Sequence, residues 1–180
     1  ALHKIATKKS LGLSATPHRK DGLTKILNWF LGDIISPKVV QNINLVPTIK
    51  FVQAKYFKGE KPKIQLNMRG KINLPNLITT ISLDIVRNNL IIDEVVKHVS
   101  QNRKILILSD RRQHCIELGK ELEKSHNILY GLYLGGMKED MLKISNTKQV
   151  ILATYTMASE GYDNPSLDTL ILATSRGNIE

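Results

Sequence analysis

Four short apolar runs, at 104–108, 128–132, 149–153 and 169–173, punctuate the second half of the chain, and apolar residues recur at helical spacing between them. The runs have the length of buried strands, and the intervening stretches predict helices over 112–124, over 138–144 and briefly near Met157. Strands alternating with helices imply a parallel sheet covered on both faces, with its functional loops at the carboxyl ends of the strands. Just upstream, from Asn76, the periodicity predicts helix, with Leu77, Ile81, Ile85, Leu90, Val95 and Val96 turned to the core. Nearer the start, residues 10–14 read as a buried strand, followed by a helix carrying Leu23, Ile26, Leu27, Phe30 and Leu31. Between these halves, Pro37, Pro47 and an alternating stretch over 48–57 predict extended chain. Residues 58–76, rich in Lys, Gly, Pro and Asn, read as an exposed loop or small insertion.

Composition narrows the class. The chain has 180 residues, 42% apolar and 23% charged, enough for one sizeable core or one complete domain with part of a neighbour. Twenty-six Lys and Arg against 16 acids leave a formal charge of +10, which favours polyanions. Nucleic acid is the natural candidate, with membranes and acidic proteins left open by charge alone. The single cysteine, Cys115, excludes an internal disulfide, and no Cys/His cluster has zinc-ligand spacing, which fits a reducing compartment. No apolar run approaches the roughly 20 residues that span a bilayer, so a soluble intracellular protein without membrane partners is expected. His3, His18, His98, His114 and His126 are scattered without a Ser/Cys/Asp constellation, giving a nucleophilic triad little support. Cys115 shares a helix face with Leu118 and Leu122 and reads as core. Trp29 and Phe30 read as core or domain interface, with base stacking the lesser alternative.

Two motifs carry a resemblance. Leu11-Gly12-Leu13-Ser14-Ala15-Thr16-Pro17, followed by His18-Arg19-Lys20-Asp21-Gly22-Leu23, resembles motif III of superfamily 2 helicases, most closely the branch of XPB-type and poxvirus-type DNA helicases of large DNA viruses. Ala153-Thr154-Tyr155-Thr156-Met157-Ala158-Ser159-Glu160-Gly161-Tyr162-Asp163 resembles motif V of the same enzymes. The fold this implies is α/β and RecA-like, of the P-loop NTPase type. Residues 1–36 would be the end of a first RecA-like domain, 37–75 a linker or extended insertion, and 76–180 the second, helicase C-terminal domain. No Gly-x-x-x-x-Gly-Lys-Ser/Thr is present, and the chain stops at Ser175-Arg176-Gly177-Asn178-Ile179-Glu180, where the resemblance would next supply the motif VI arginines. The opening Ala1-Leu2-His3-Lys4-Ile5-Ala6 is similar to the helix after the Asp-Glu-x-His box. An excerpt of a longer enzyme is therefore expected, inactive alone, with ATP and Mg2+ belonging to the full-length protein.

The resemblance also assigns residues. Ser14, Ala15 and Thr16 would couple ATP hydrolysis to strand movement, the plain alternative being a strand end at which Pro17 stops pairing. Thr154 would donate its hydroxyl to a nucleic-acid phosphate, Gly161 would permit close backbone approach, and Asp163 would accept from a ribose hydroxyl or an arginine, against a plain Gly-Asp turn. Glu160 would face the domain cleft or form a salt bridge. Residues 105–112 look like motif IV, in which Ser109 or Asp110 caps a helix and Arg111 or Arg112 meets a phosphate; capping alone explains the pattern equally well. Gly135 and Gly136, with Lys138, resemble a phosphate-approaching turn or are simply a turn. Asp84 with Arg87-Asn88 also fits the family, in a role the sequence does not reveal. Asp93-Glu94 imitates a magnesium-binding box, but Ile91, Val95 and His98 repeat at helical spacing, so the two acids read as a solvated helix face. Lys55, Lys58, Lys61, Lys63, Arg69 and Lys71 either grip a backbone or keep a loop soluble. The expected function is that of part of an ATP-dependent helicase acting on DNA or RNA. The competing readings are a double-stranded DNA translocase without strand separation and a non-catalytic nucleic-acid-binding module.

Overall fold

The computed structural model describes residues 8–9, 11–12, 22–35, 48–53, 65–159 and 162–175. The chain divides into two compact units, residues 1–50 and 51–180. In the first, α1 (Thr24–Leu31) occupies the helical stretch expected there and stops at Gly32, whose φ of +82° suits glycine. Trp29 is 78% exposed and Phe30 is also exposed, so neither is core within this unit. Ser14, Ala15 and Thr16, and the strand expected over 10–14, fall outside the described residues apart from Leu11 and Gly12. Residues 48–53 form no regular element.

In the second unit, a small antiparallel bridge joins Leu66 to Ile72 and leads into α2 (Leu74–Ser82), which Asn73 caps through its side chain. The helix expected from Asn76 onward breaks at Leu83, and α3 (Ile85–Ser100) starts afresh under an Asp84 cap that accepts from the Arg87 amide at 3.2 Å. This restart changes which side of the helix is buried. Ile91, Ile92 and Val95 enter the core, while Ile85 is 73% exposed.

The four expected strands form, displaced toward their carboxyl ends by a residue or two in three cases: β1 (Ile105–Ser109), β2 (Tyr130–Tyr133), β3 (Val150–Thr154) and β4 (Thr169–Leu172). They pair as one parallel sheet in the order β2-β3-β1-β4. Between them run α4 (Arg112–His126), α5 (Glu139–Asn146) and the short α6 (Tyr155–Ser159). Ile105 and Ile107 of β1 pack with Val150 and Leu152 against α3 and α4, through Val95, Cys115, Leu118 and Leu122. The alternate residues Leu106, Leu108, Ile151 and Ala153 pack with Tyr155 on the other face. Every position of β1 and β3 is buried, as expected of central strands in a sheet covered on both sides. At Gly131 of edge strand β2 the backbone of α5 comes so close that a Cβ would collide with the carbonyl and Cα of Ser145. The architecture is the α/β one expected of a RecA-like helicase domain, with its core along the whole length of β1 and β3.

Candidate functional site

Parallel register gathers the strand exits at one end. Ser109 lies beside Thr154, Tyr133 beside Ala153, and Leu108 beside Leu172. The segments leaving there carry Arg111 and Arg112, the Gly135-Gly136 turn, α6 and Thr174.

Beneath these exits lies a buried polar chain drawn from separate segments. Ser109 Oγ and His114 Nδ1 are 2.9 Å apart, and His114 Nε2 and Asn88 Oδ1 are also 2.9 Å apart. The Asn88 amide nitrogen donates to the Ser82 carbonyl at 3.0 Å. That last bond fixes the direction of the rest. The Asn88 oxygen must accept, so His114 donates from Nε2, and its bare Nδ1 accepts the Ser109 hydroxyl. Ser109 Oγ in turn accepts from the Arg111 amide at 3.2 Å. Burial, reinforced by the positive Arg87, pushes the His114 pKa down to about 4, so the ring is neutral at pH 7 as this arrangement requires.

The chain revises two expectations. Ser109 is fully buried with its hydroxyl engaged, so its side chain is a support beneath the surface rather than a contact on it. Neither Ser109 nor Asp110 is the N-cap of α4. That position is held by Arg111, without a side-chain cap, because the strand runs one residue further before turning. The Ser109–His114–Asn88 order has the look of a nucleophilic triad, yet a serine sealed from solvent attacks nothing.

Arg111 is held from outside as well. Its Nε donates to Thr79 Oγ1 at 3.2 Å, one terminal nitrogen to the Pro75 carbonyl at 2.7 Å, and the other to Asp110 at 3.2 Å. With the buried chain this closes a circuit: α2 to α3 to α4 to the end of β1 and, through Arg111, back to α2. Three of the five guanidinium N–H groups are used, and the Arg111 side chain remains 32% exposed. Arg112, exposed, donates to the Gly135 carbonyl and so ties the start of α4 to the Gly135-Gly136 turn. Gly136 has φ +80°, a conformation that favours glycine. Lys138 is the N-cap residue of α5 and is exposed.

The β4 exit is fastened separately. Arg87 donates to the Ala173 carbonyl at 2.6 Å, the Asp110 amide to Thr174 Oγ1 at 2.9 Å, and the Tyr155 hydroxyl to the Thr174 carbonyl at 2.5 Å. Burial lowers the Arg87 pKa against the pull of Asp84. Asp84, Arg87 and Asn88 thus acquire the roles that their spacing alone did not reveal: helix cap, clasp on β4 and link to His114.

Thr154 ends β3 with its side chain buried. Asp163 is exposed, next to Tyr162, whose hydroxyl donates to Asn146 Oδ1 at 3.1 Å. Glu160 and Gly161 lie outside the described residues. Arg69 and Lys71 are exposed, while Lys55, Lys58, Lys61 and Lys63 are outside that set. Asp93 is exposed as expected of a solvated helix face, whereas Glu94 is largely covered, with its carboxylate 3.7 Å from His98 Nε2 one turn on. Among the described residues no three His, Cys, Asp or Glu side chains gather as a metal site. Among the same residues no helix is long and apolar enough to cross a membrane.

No family model matches the chain. It is similar to two viral proteins. One, of Acanthamoeba polyphaga mimivirus, is named provisionally as an ATP-dependent RNA helicase and is 36% identical over 184 residues, covering 98% of this chain and 35% of its own length. The other, of Invertebrate iridescent virus 6, is named provisionally as a helicase and is 29% identical over 178 residues, covering 91% of this chain and 38% of its own length. The chain therefore spans a little over a third of the length of these curated relatives.

Proposed function

We propose that the chain is part of a superfamily 2 helicase of the kind carried by large DNA viruses, comprising the end of one RecA-like domain and most of the second. The observation that carries this reading is the placement of Arg111, Arg112, the Gly135-Gly136 turn and Lys138 at the carboxyl end of a parallel sheet, in a chain similar to helicase-named proteins. Cations and bare amides there suit a phosphate backbone. Arg111 offers the N–H groups its internal partners leave over, and Lys138 adds a mobile charge. Thr154 lies deeper, where a small approach of the backbone would bring its hydroxyl within reach.

ATP and Mg2+ would be the cofactors of the full-length polypeptide. By resemblance, Ser14, Ala15 and Thr16 would couple hydrolysis to movement, and Glu160, Gly161 and Asp163 would serve ATP and ribose binding or interdomain contact. Catalysis of phosphoryl transfer is chiefly positioning and charge stabilisation, which requires groups that this chain does not contain. The 180-residue chain alone therefore binds polymer without turning over ATP.

The test is magnesium-dependent ATP hydrolysis by the full-length polypeptide, with single-stranded and duplex DNA and RNA, beside Asp163→Ala. Stimulation by one polymer, abolished by the substitution, supports the motor and names its track. No hydrolysis under any condition overturns it in favour of a binding module. Release of a labelled strand from a duplex then separates unwinding from translocation along an intact duplex.

A further inference from the structure

The circuit through α2, α3 and α4 converges on one residue from two directions. From inside, the Arg111 amide donates to Ser109 Oγ, whose own proton is directed to His114 Nδ1. From outside, Pro75, Thr79 and Asp110 hold the Arg111 guanidinium. Arg111 stands in extended backbone, φ −120° and ψ 121°, at the point where β1 gives way to α4. A rotation there would swing both Arg111 and Arg112, and the Ser109 bond opposes that rotation. The Ser109 oxygen accepts the Arg111 amide through a lone pair, and the neutral His114 ring, by accepting the buried hydroxyl proton, fixes the direction in which that lone pair points. His114 in turn is held in that tautomer by Asn88, itself braced on the Ser82 carbonyl.

We propose that His114 and Asn88 are positioning residues for polyanion binding: they set the direction of the Ser109 hydroxyl and thereby hold the Arg111-Arg112 pair ready for a phosphate backbone. This role rests on the nucleic-acid reading of those arginines. It differs from simple core packing because the direction of hydrogen bonding matters as well as the filled volume.

Two substitutions separate the two ends of the ring. His114→Asn places an amide oxygen where Nδ1 stood and keeps an acceptor for Ser109. His114→Gln places an amide nitrogen near Nε2, keeping the donor to Asn88 and losing the Ser109 acceptor. Binding of the 180-residue chain to a fluorescein-labelled single-stranded oligonucleotide is read by anisotropy at fixed salt, with melting temperature measured in parallel. His114→Asn should stay within about twofold of the parent Kd, whereas His114→Gln should weaken binding about fivefold or more, the size of one lost hydrogen bond. Equal weakening by both, in step with lost stability, overturns the proposal.

Arg112→Ala is the control for the surface itself. If the parent chain binds no oligonucleotide, or Arg112→Ala leaves affinity unchanged while the His114 variants differ, the nucleic-acid reading of the arginines is at fault. A measurement without ligand covers that case: the amide resonance of Arg111 should move in His114→Gln and hold in His114→Asn. An Arg111 amide indifferent to both variants overturns the positioning role whatever the polymer result.

Discussion

Tyr162 sets its ring edge-on against Tyr133, with centroids 4.7 Å apart and planes at 66°. The pair joins the segment after α6 to the exit of β2, and the Tyr162 hydroxyl anchors the same segment to Asn146 of α5. Burial raises the Tyr162 phenol pKa, so it stays a donor at neutral pH. Tyr162→Phe should cost about 1 kcal/mol, the size of a single hydrogen bond, and Tyr162→Ala about 2 kcal/mol, since the aromatic contact goes as well. Urea unfolding gives both values. Equal losses for the two variants would show the ring contact to be energetically idle.

Acid should weaken the fold through His114. Its folded pKa, about 4, lies below the unfolded value near 6.5, so the unfolded chain binds the proton first as pH falls. The contribution is fully present above about pH 6.5 and is lost between there and pH 4. At about 1.4 kcal/mol per pKa unit the loss is on the order of 3 kcal/mol. Comparing urea midpoints from pH 7 to 4 with those of His114→Gln isolates this group from the carboxylates, and parallel curves would remove it as the source.

Gly131 and Gly119 differ in what stands in the way of a side chain. A Cβ on Gly131 meets the α5 backbone, whereas one on Gly119 meets the ring of Tyr130. A backbone cannot step aside without moving its helix, so Gly131→Ala should cost about 2–3 kcal/mol and Gly119→Ala less. Thermal melts of the two variants test the order, and a smaller loss for Gly131→Ala contradicts it.

Phosphate contact by Arg112 has a salt signature. Arg112→Ala should weaken binding to single strands of unrelated sequence by similar factors, and the slope of log affinity against log salt should fall by about 0.7. An unchanged slope would place the polymer elsewhere.

The strands were legible in the sequence because central positions of a parallel sheet are uniformly apolar, as 105–108 and 150–153 are. The face of α4 carrying Cys115, Leu118 and Leu122 was legible from spacing alone. The α2–α3 junction was not, since Ile81 and Ile85 keep helical spacing across it, and only Asp84, a capping residue within an otherwise continuous pattern, marks the restart. The polar chain under the site was also hidden. Ser82, Asn88, Ser109 and His114 are ordinary residues in four places, and their meaning appears only when β1 and three helices bring them together.

Cys115, the chain's only thiol, is sealed between α4 and the sheet, and its Sγ–H points at the Ala153 carbonyl 3.5 Å away. Burial pushes its pKa up to about 12, so the closed protein presents almost no thiolate to a reagent. Modification must wait for the helix to lift from β3. With brisk reagent the labelling rate becomes the opening rate, and with dilute reagent it reports the equilibrium for opening. One sulfur atom therefore serves as a built-in stopwatch for the element that carries His114, readable by mass without any added probe.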